Sequence, residues 1–183
     1  MDFPTLRALP GNPHTVTAHD TLDLLTHTPL RTPVALKWGD RLRVTTDKGD
    51  AEIEAFQVKH WGARWRYDTN RGYNGYIVSR EGRKFIFGGD TALIDHFRAL
   101  RSQGPYEFAI MPIGAYDPWV CSHCTPEQAV RMANDAGAPY LLPVHFKTFA
   151  LGREGVIEPL TRLEAALEPE RIGWRNIGET FSI

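Results

Sequence analysis

An α/β fold of layered, partly α+β character is predicted by three features of this sequence. The first half reads as hairpins, with strand-like runs meeting at short polar turns. The second half alternates apolar strands with helical stretches. At 183 residues, with 42% apolar content, the chain suffices for one domain with a real core, and it shows no repeat, linker or low-complexity segment.

Taken in order, residues 1–13 hold a short helix or turn around Thr5 to Leu9 and then the turn-rich Leu9-Pro-Gly-Asn-Pro13. The run His14 to Ala18 is β-prone, and Asp20 to Leu25 reads as a helix capped by Asp20. Leu42 to Thr46 and Ala51 to Val58 read as a hairpin about Lys48-Gly49-Asp50. An aromatic and polar loop from Trp61 to Asn74 carries Arg64, Trp65, Arg66, Tyr67, Asp68, Asn70 and Arg71. Loops of that length are often functional. A second hairpin follows, Tyr76 to Ser79 and Lys84 to Phe87 about Glu81-Gly82, and then a helix from Leu93 to Arg101. The strand Phe108 to Ile113, the loop Gly114 to Thr125 and the helix Pro126 to Ala136 come next. That helix has Thr125 as N-cap, Pro126 in the first turn and Glu127 near the positive end of the dipole. A strand from Tyr140 to His145, a helix from Pro159 to Leu167 and a last strand from Thr180 to Ile183 complete the reading.

With Lys+Arg 21 against Asp+Glu 22 the net charge is -1 and no long run of either sign occurs, so neither nucleic acid nor an acidic membrane is an expected partner. No window approaches ~18 uninterrupted apolar residues, and a cytoplasmic, soluble protein is expected. Cys121 and Cys124 have Cys-x-x-Cys spacing, but no second ligand pair lies nearby and no strand leads directly into them. They read as plain thiols in a reducing compartment.

The chemistry concentrates at strand ends. In Lys84-Phe-Ile-Phe-Gly-Gly-Asp-Thr91 a buried-strand pattern runs into a glycine pair and one carboxylate, Asp90. Alone, Asp90 or Thr91 reads as an N-cap for Ala92 to Arg101. His60 after Val58 and His145 after Val144 also follow short apolar runs, and three strand-end donors of zinc type suggest one metal site built from separate strands.

Residues 55–150 resemble the metallo-β-lactamase fold, in the branch containing N-acyl-phosphatidylethanolamine-hydrolysing phospholipase D and related bacterial hydrolases. The resemblance is carried by Val58-Lys-His60-Trp-Gly-Ala-Arg64, Gly89-Asp90-Thr91, Met111-Pro-Ile-Gly-Ala-Tyr116, His123-Cys-Thr-Pro-Glu-Gln-Ala-Val130 and Val144-His145-Phe-Lys-Thr-Phe149. It implies an αββα sandwich with two zinc ions at its edge, His60 on the first, His145 on the second and Asp90 bridging both. It also implies hydrolysis of a small-molecule phosphodiester, lactone or other ester by metal-activated hydroxide. His123 then stands beside the substrate and donates a hydrogen bond or a proton to the leaving oxygen. A non-catalytic binding module on the same scaffold is the alternative. His14, His19, His27 and His96 match nothing in the family pattern and are expected to be structural or on the surface.

The family's His-x-His-x-Asp-His motif, which supplies four zinc ligands, is absent from these residues; His14 to Asp20 has the wrong spacing. Met1-Asp2-Phe3-Pro4 resembles the residues directly after that motif. The expectation is therefore a single domain, 1–183, that is N-terminally incomplete. An internal methionine taken as the start of a longer protein is favoured over a genuine truncation. With His60 and His145 on different ions, neither zinc keeps more than two protein ligands, so zinc binding by this chain alone should be weak or absent. The sheet left without its partner should expose an apolar face, which favours association.

Overall fold

The computed structural model describes residues 3–11, 13–30, 32–63 and 67–183. A short helix α1 (Phe3–Ala8) leads to a two-stranded parallel pair, β1 (Val16–Ala18) and β2 (Val34–Leu36). The main sheet has six strands in sequence order: β3 (Arg41–Thr46), β4 (Gly49–Phe56), β5 (Gly75–Arg80), β6 (Arg83–Phe87), β7 (Phe108–Pro112) and β8 (Tyr140–Val144). The pairs from β3 to β6 are antiparallel, as the two hairpins require, whereas β6, β7 and β8 run parallel. As a result β4, β6, β7 and β8 all point the same way, and their C-terminal ends share one edge of the sheet. Ligand sites of open α/β sheets lie at such an edge.

Register explains the core. Ile77, Ile86, Ala109 and Leu141 are partners across four neighbouring strands and are at most 3% exposed, so one row of side chains faces a layer of helices. That layer is α2 (His96–Leu100), α3 (Pro126–Ala136) and α4 (Glu158–Ala166), with α3 between the other two and against β7 and β8. Helix α3 begins at a capping box: the Thr125 side chain accepts from Gln128 N at 3.3 Å while the Gln128 side chain accepts from Thr125 N at 3.0 Å. Its Ala129, Val130, Met132, Ala133 and Ala136 are buried with Phe97 and Leu100 of α2 and Leu163 of α4.

The opposite row, Val78, Phe85, Phe108 and Tyr140, is also apolar. Rings of Phe85 and Phe108 stack at 5.0 Å, and Phe181 from the C-terminal stretch closes on Tyr140 at 5.2 Å and on Phe108 at 6.1 Å. This stretch covers the β7–β8 end, while Phe87 on the same face stays 38% exposed.

Three expected elements differ. Asp20 to Leu25 is a single 3-10 turn, Leu22–Leu25, with Asp20 outside it at φ 55°, because only a short apolar segment is available to bury. The helix expected over Leu93 to Arg101 is the five-residue α2, continued by a 3-10 turn, Arg101–Gln103. Asp90 and Thr91 therefore cap nothing. Residues Thr180 to Ile183 form no ladder: the tail meets the far face of the sheet through Phe181 rather than adding to an edge.

Candidate active site

Each expected site residue follows one of the four strands that share an edge. His60 lies beyond β4, after buried Val58; Asp90 follows β6; His123 sits in the loop after β7; His145 directly follows β8. The structure brings all four together. His123 lies between two histidines, 5.0 Å from His60 and 5.1 Å from His145 by ring centroids, and His145 Nε2 is 3.7 Å from Asp90 Oδ1. Tyr73 closes on His60 edge-on at 6.0 Å.

Backbone geometry sets these positions. Gly89 turns the chain at φ 62°, and a Cβ there would meet Asn74 O at 2.6 Å, so a glycine is required on two counts. A Cβ on Gly114 would lie 2.2 Å from His145 O, which lets the loop after β7 press against the end of β8. Ala115, His145 and Lys147 all adopt positive φ, at 62°, 63° and 60°. Such left-handed non-glycine conformations are costly and cluster at functional sites.

Thr91, fully buried, ties three of the strand ends together. Its Oγ1 accepts from Lys59 N at 3.0 Å and donates to Ala92 O at 2.8 Å, and its carbonyl accepts from Cys124 N at 2.7 Å. The residues so held adjoin His60, Asp90 and His123. Thr91→Val keeps the shape and removes the acceptor of Lys59 N from a part-buried hydrogen bond, which should cost about 0.5–1.5 kcal/mol of unfolding free energy in urea titrations. Thr91→Ser should recover most of it.

Electrostatics keep two of the imidazoles neutral. Burial pushes His60 below the usual histidine range against the opposing pull of Asp90. Burial first, and then neighbouring His60 and His145, hold His123 down to about 4. The unfolded chain binds protons that the folded site refuses. The stabilisation is therefore complete above the ordinary value of 6.5 and is lost as pH falls toward about 4 for His123. Melts in chelator between those limits should show a smaller pH slope for His123→Asn than for the wild type.

Whether these residues suit a metal is tested by their free donor atoms. His60 Nε2 and His123 Nδ1 are both buried without a hydrogen-bond partner; at His60, one of the three expected metal ligands, this ordinarily signals a missing ligand, and neutral imidazole with carboxylate is a divalent-metal donor set. The donors fit in kind. In number they fall short, since among the described residues no three His, Cys, Asp or Glu side chains stand together closely enough to hold an ion.

The remaining expectations resolve plainly. Both cysteines are free; Cys124 Sγ donates to Pro112 O at 3.3 Å and burial pushes its thiol up to about 12, the opposite of an activated nucleophile. Arg71 is engaged internally, on Asp68, on Asp23 at 2.6 and 2.9 Å and on Asp20 O at 2.9 Å. Arg64, Trp65 and Arg66 lie outside the described residues. His14 and His27 are exposed, His96 stacks on Phe56 at 6.2 Å, and His19 O accepts from Gly72 N at 2.9 Å. Among the described residues no helix is long and apolar enough to cross a membrane. Tyr73 and Thr91 carry more of the site than their sequence context suggested, because both act through partners distant in the chain.

An antiparallel meander continued by parallel strands, with ligand-type side chains at one edge and helices on one face, is the architecture of a metallo-β-lactamase fold. It superposes on the metallo-β-lactamase fold protein YhfI of Bacillus subtilis with TM-score 0.56 and 16% identity, over 81% of this chain and 55% of that one. The chain belongs to the β-lactamase superfamily domain family, whose pattern it matches over residues 1–146. An uncharacterized protein of Mycobacterium tuberculosis is 30% identical over 199 residues, 91% of this chain and 53% of that protein. N-acyl-phosphatidylethanolamine-hydrolyzing phospholipase D 1 of Caenorhabditis elegans is 31% identical over 144 residues, 75% of this chain and 40% of that protein. The chain thus spans about half the length, or less, of these curated relatives.

Proposed function

We propose that this chain carries part of the active site of a zinc-dependent hydrolase acting on a small-molecule phosphodiester, lactone or related ester. The observation that carries the reading is the convergence of His60, Asp90, His123 and His145 from four strand ends, with two buried imidazole nitrogens unpartnered. Membership of the superfamily supports it, as do relatives named as metal-dependent hydrolases, such as one from Methanoculleus marisnigri.

In this reading His60, Asp90 and His145 hold metal and His123 faces the substrate. A bound divalent metal supplies Lewis acidity, which makes water a nucleophile near neutral pH and offsets charge on the substrate's oxygen. The protein's own contributions are distinct. Burial keeps His60 deprotonated, so its ring nitrogen is free to bind at neutral pH. His123, held down to about 4, is neutral near pH 7 and acts there by donating a hydrogen bond to the leaving oxygen, since it carries no second proton to give. Thr91 fixes the relative positions of these groups.

The domain reading is part of the same proposal. Residues 1–183 form one metallo-β-lactamase-like domain without the His-x-His-x-Asp-His loop, and the ligands present give neither ion more than two. Zinc titrated into the 183-residue protein should bind weakly, at best in the range where a chelating dye competes easily. Two zinc ions held tightly per chain would overturn this ligand assignment. Ligand binding that survives both chelation and Asp90→Ala would favour a non-catalytic module instead.

A further inference from the structure

Beside His123 the chain forms a cavity that the chemistry above does not use. Trp61, Ala115, Trp119, Ser122, His123 and Leu151 line a volume of about 470 Å³, the size of a small-molecule pocket. Its walls come from three loops, those following β4, β7 and β8, so it is a product of the tertiary fold and not of local collapse. Trp61, Trp119 and Leu151 are 58%, 56% and 57% exposed, an apolar cluster turned toward solvent rather than into the core. Contiguous exposed apolar surface of this kind marks a binding site.

The cavity is held open by polar ties behind it. Glu154 accepts from Ala115 N at 2.5 Å and Asp117 N at 3.3 Å, and Arg153 N donates to Asp117 O at 2.8 Å. These bonds pin the Leu151 loop to the loop that carries Ala115 and Trp119. Among the described residues no charged side chain lines the space; its hydroxyl and imidazole groups are those of Ser122 and His123. An ionic group would lose its hydration there without a partner, whereas a ring or a branched alkyl group would bury surface against two indoles and a leucine.

We propose that this cavity binds a compact, uncharged apolar arm of the substrate, aryl or branched alkyl in kind, and so places the bond carrying that arm beside His123. The naming of the occupant as substrate rests on the hydrolase reading; the binding itself requires neither metal nor turnover. It can therefore be measured separately from hydrolysis.

The test is a titration of the 183-residue protein with 4-nitrobenzyl alcohol in chelator, read as quenching of tryptophan emission, since two of the five tryptophans line the cavity. Quenching should saturate, and repeating it with zinc present should leave the affinity unchanged. Leu151→Asp, an exposed loop change that circular dichroism should show to be folded, should weaken binding about tenfold, and Leu151→Met should restore it. Cyclohexanol should displace the probe better than 1-dodecanol. Quenching that rises linearly without saturation, or an unchanged affinity in Leu151→Asp, would overturn the site. Stronger displacement by 1-dodecanol would overturn the compact arm in favour of an extended chain. A protein that binds the probe but shows no hydrolysis in any extended form would keep the cavity and lose the enzyme.

Discussion

Asp90→Ala should abolish metal-dependent hydrolysis of bis(4-nitrophenyl) phosphate, by about 10²- to 10³-fold or more, in a version of this chain preceded by a segment carrying His-x-His-x-Asp-His. The size of the effect follows from position. Asp90 Oδ1 lies 3.7 Å from His145 Nε2, and in the proposed reading Asp90 is the carboxylate that would serve both ions. Its removal also deletes the negative charge that favours the protonated form of His60, so that histidine should become still easier to deprotonate. Metal content by mass spectrometry separates the outcomes. Hydrolysis persisting in Asp90→Ala with metal retained would remove Asp90 from the site, while loss of both activity and metal is the expected result.

Gly89→Ala should be strongly destabilising. The backbone there sits at φ 62°, and the new Cβ would lie 2.6 Å from Asn74 O. The obstacle is a main-chain carbonyl in a buried residue whose side chain is itself fixed, with Asn74 Nδ2 donating to Leu36 O at 2.9 Å. Left-handed strain and overpacking together should cost about 2–4 kcal/mol. Thermal melts should fall by roughly 5 to 15 °C for a domain of this size. A melt within a degree of the wild type would mean that the turn after β6 relaxes freely, and that the placement of Asp90 does not depend on it.

Local pattern was a good guide wherever an element is decided within a few residues of itself. Both hairpins and the strands β7 and β8 fall where alternation, apolar runs and turn residues placed them, and α3 begins at the expected Thr125 cap. The helix expected from Leu93 failed because the polypeptide between Asp90 and Asp95 is needed elsewhere. Thr91 and Ala92 bond to Lys59 and Cys124, which locks that stretch as a connector and leaves five residues to coil. In place of the expected last strand, Phe181 closes on Phe108 and Tyr140 on the far face of the sheet.

The sequence by itself determined the residue types of the candidate donors, their location at strand ends and the family to which the chain belongs, because each of these depends on residue type and near-neighbour order. Only the tertiary structure decided how the donors meet. Four strands run in one direction and end at one edge, which places His123 between His60 and His145 and leaves two ring nitrogens buried and unpaired. Distances between residues that lie about 20 to 90 positions apart are set by sheet register and close backbone approach, which local sequence pattern does not reveal. The cavity beside His123 is the clearest case, since Trp61, Trp119 and Leu151 become neighbours only after three loops have been fixed by the strands that precede them.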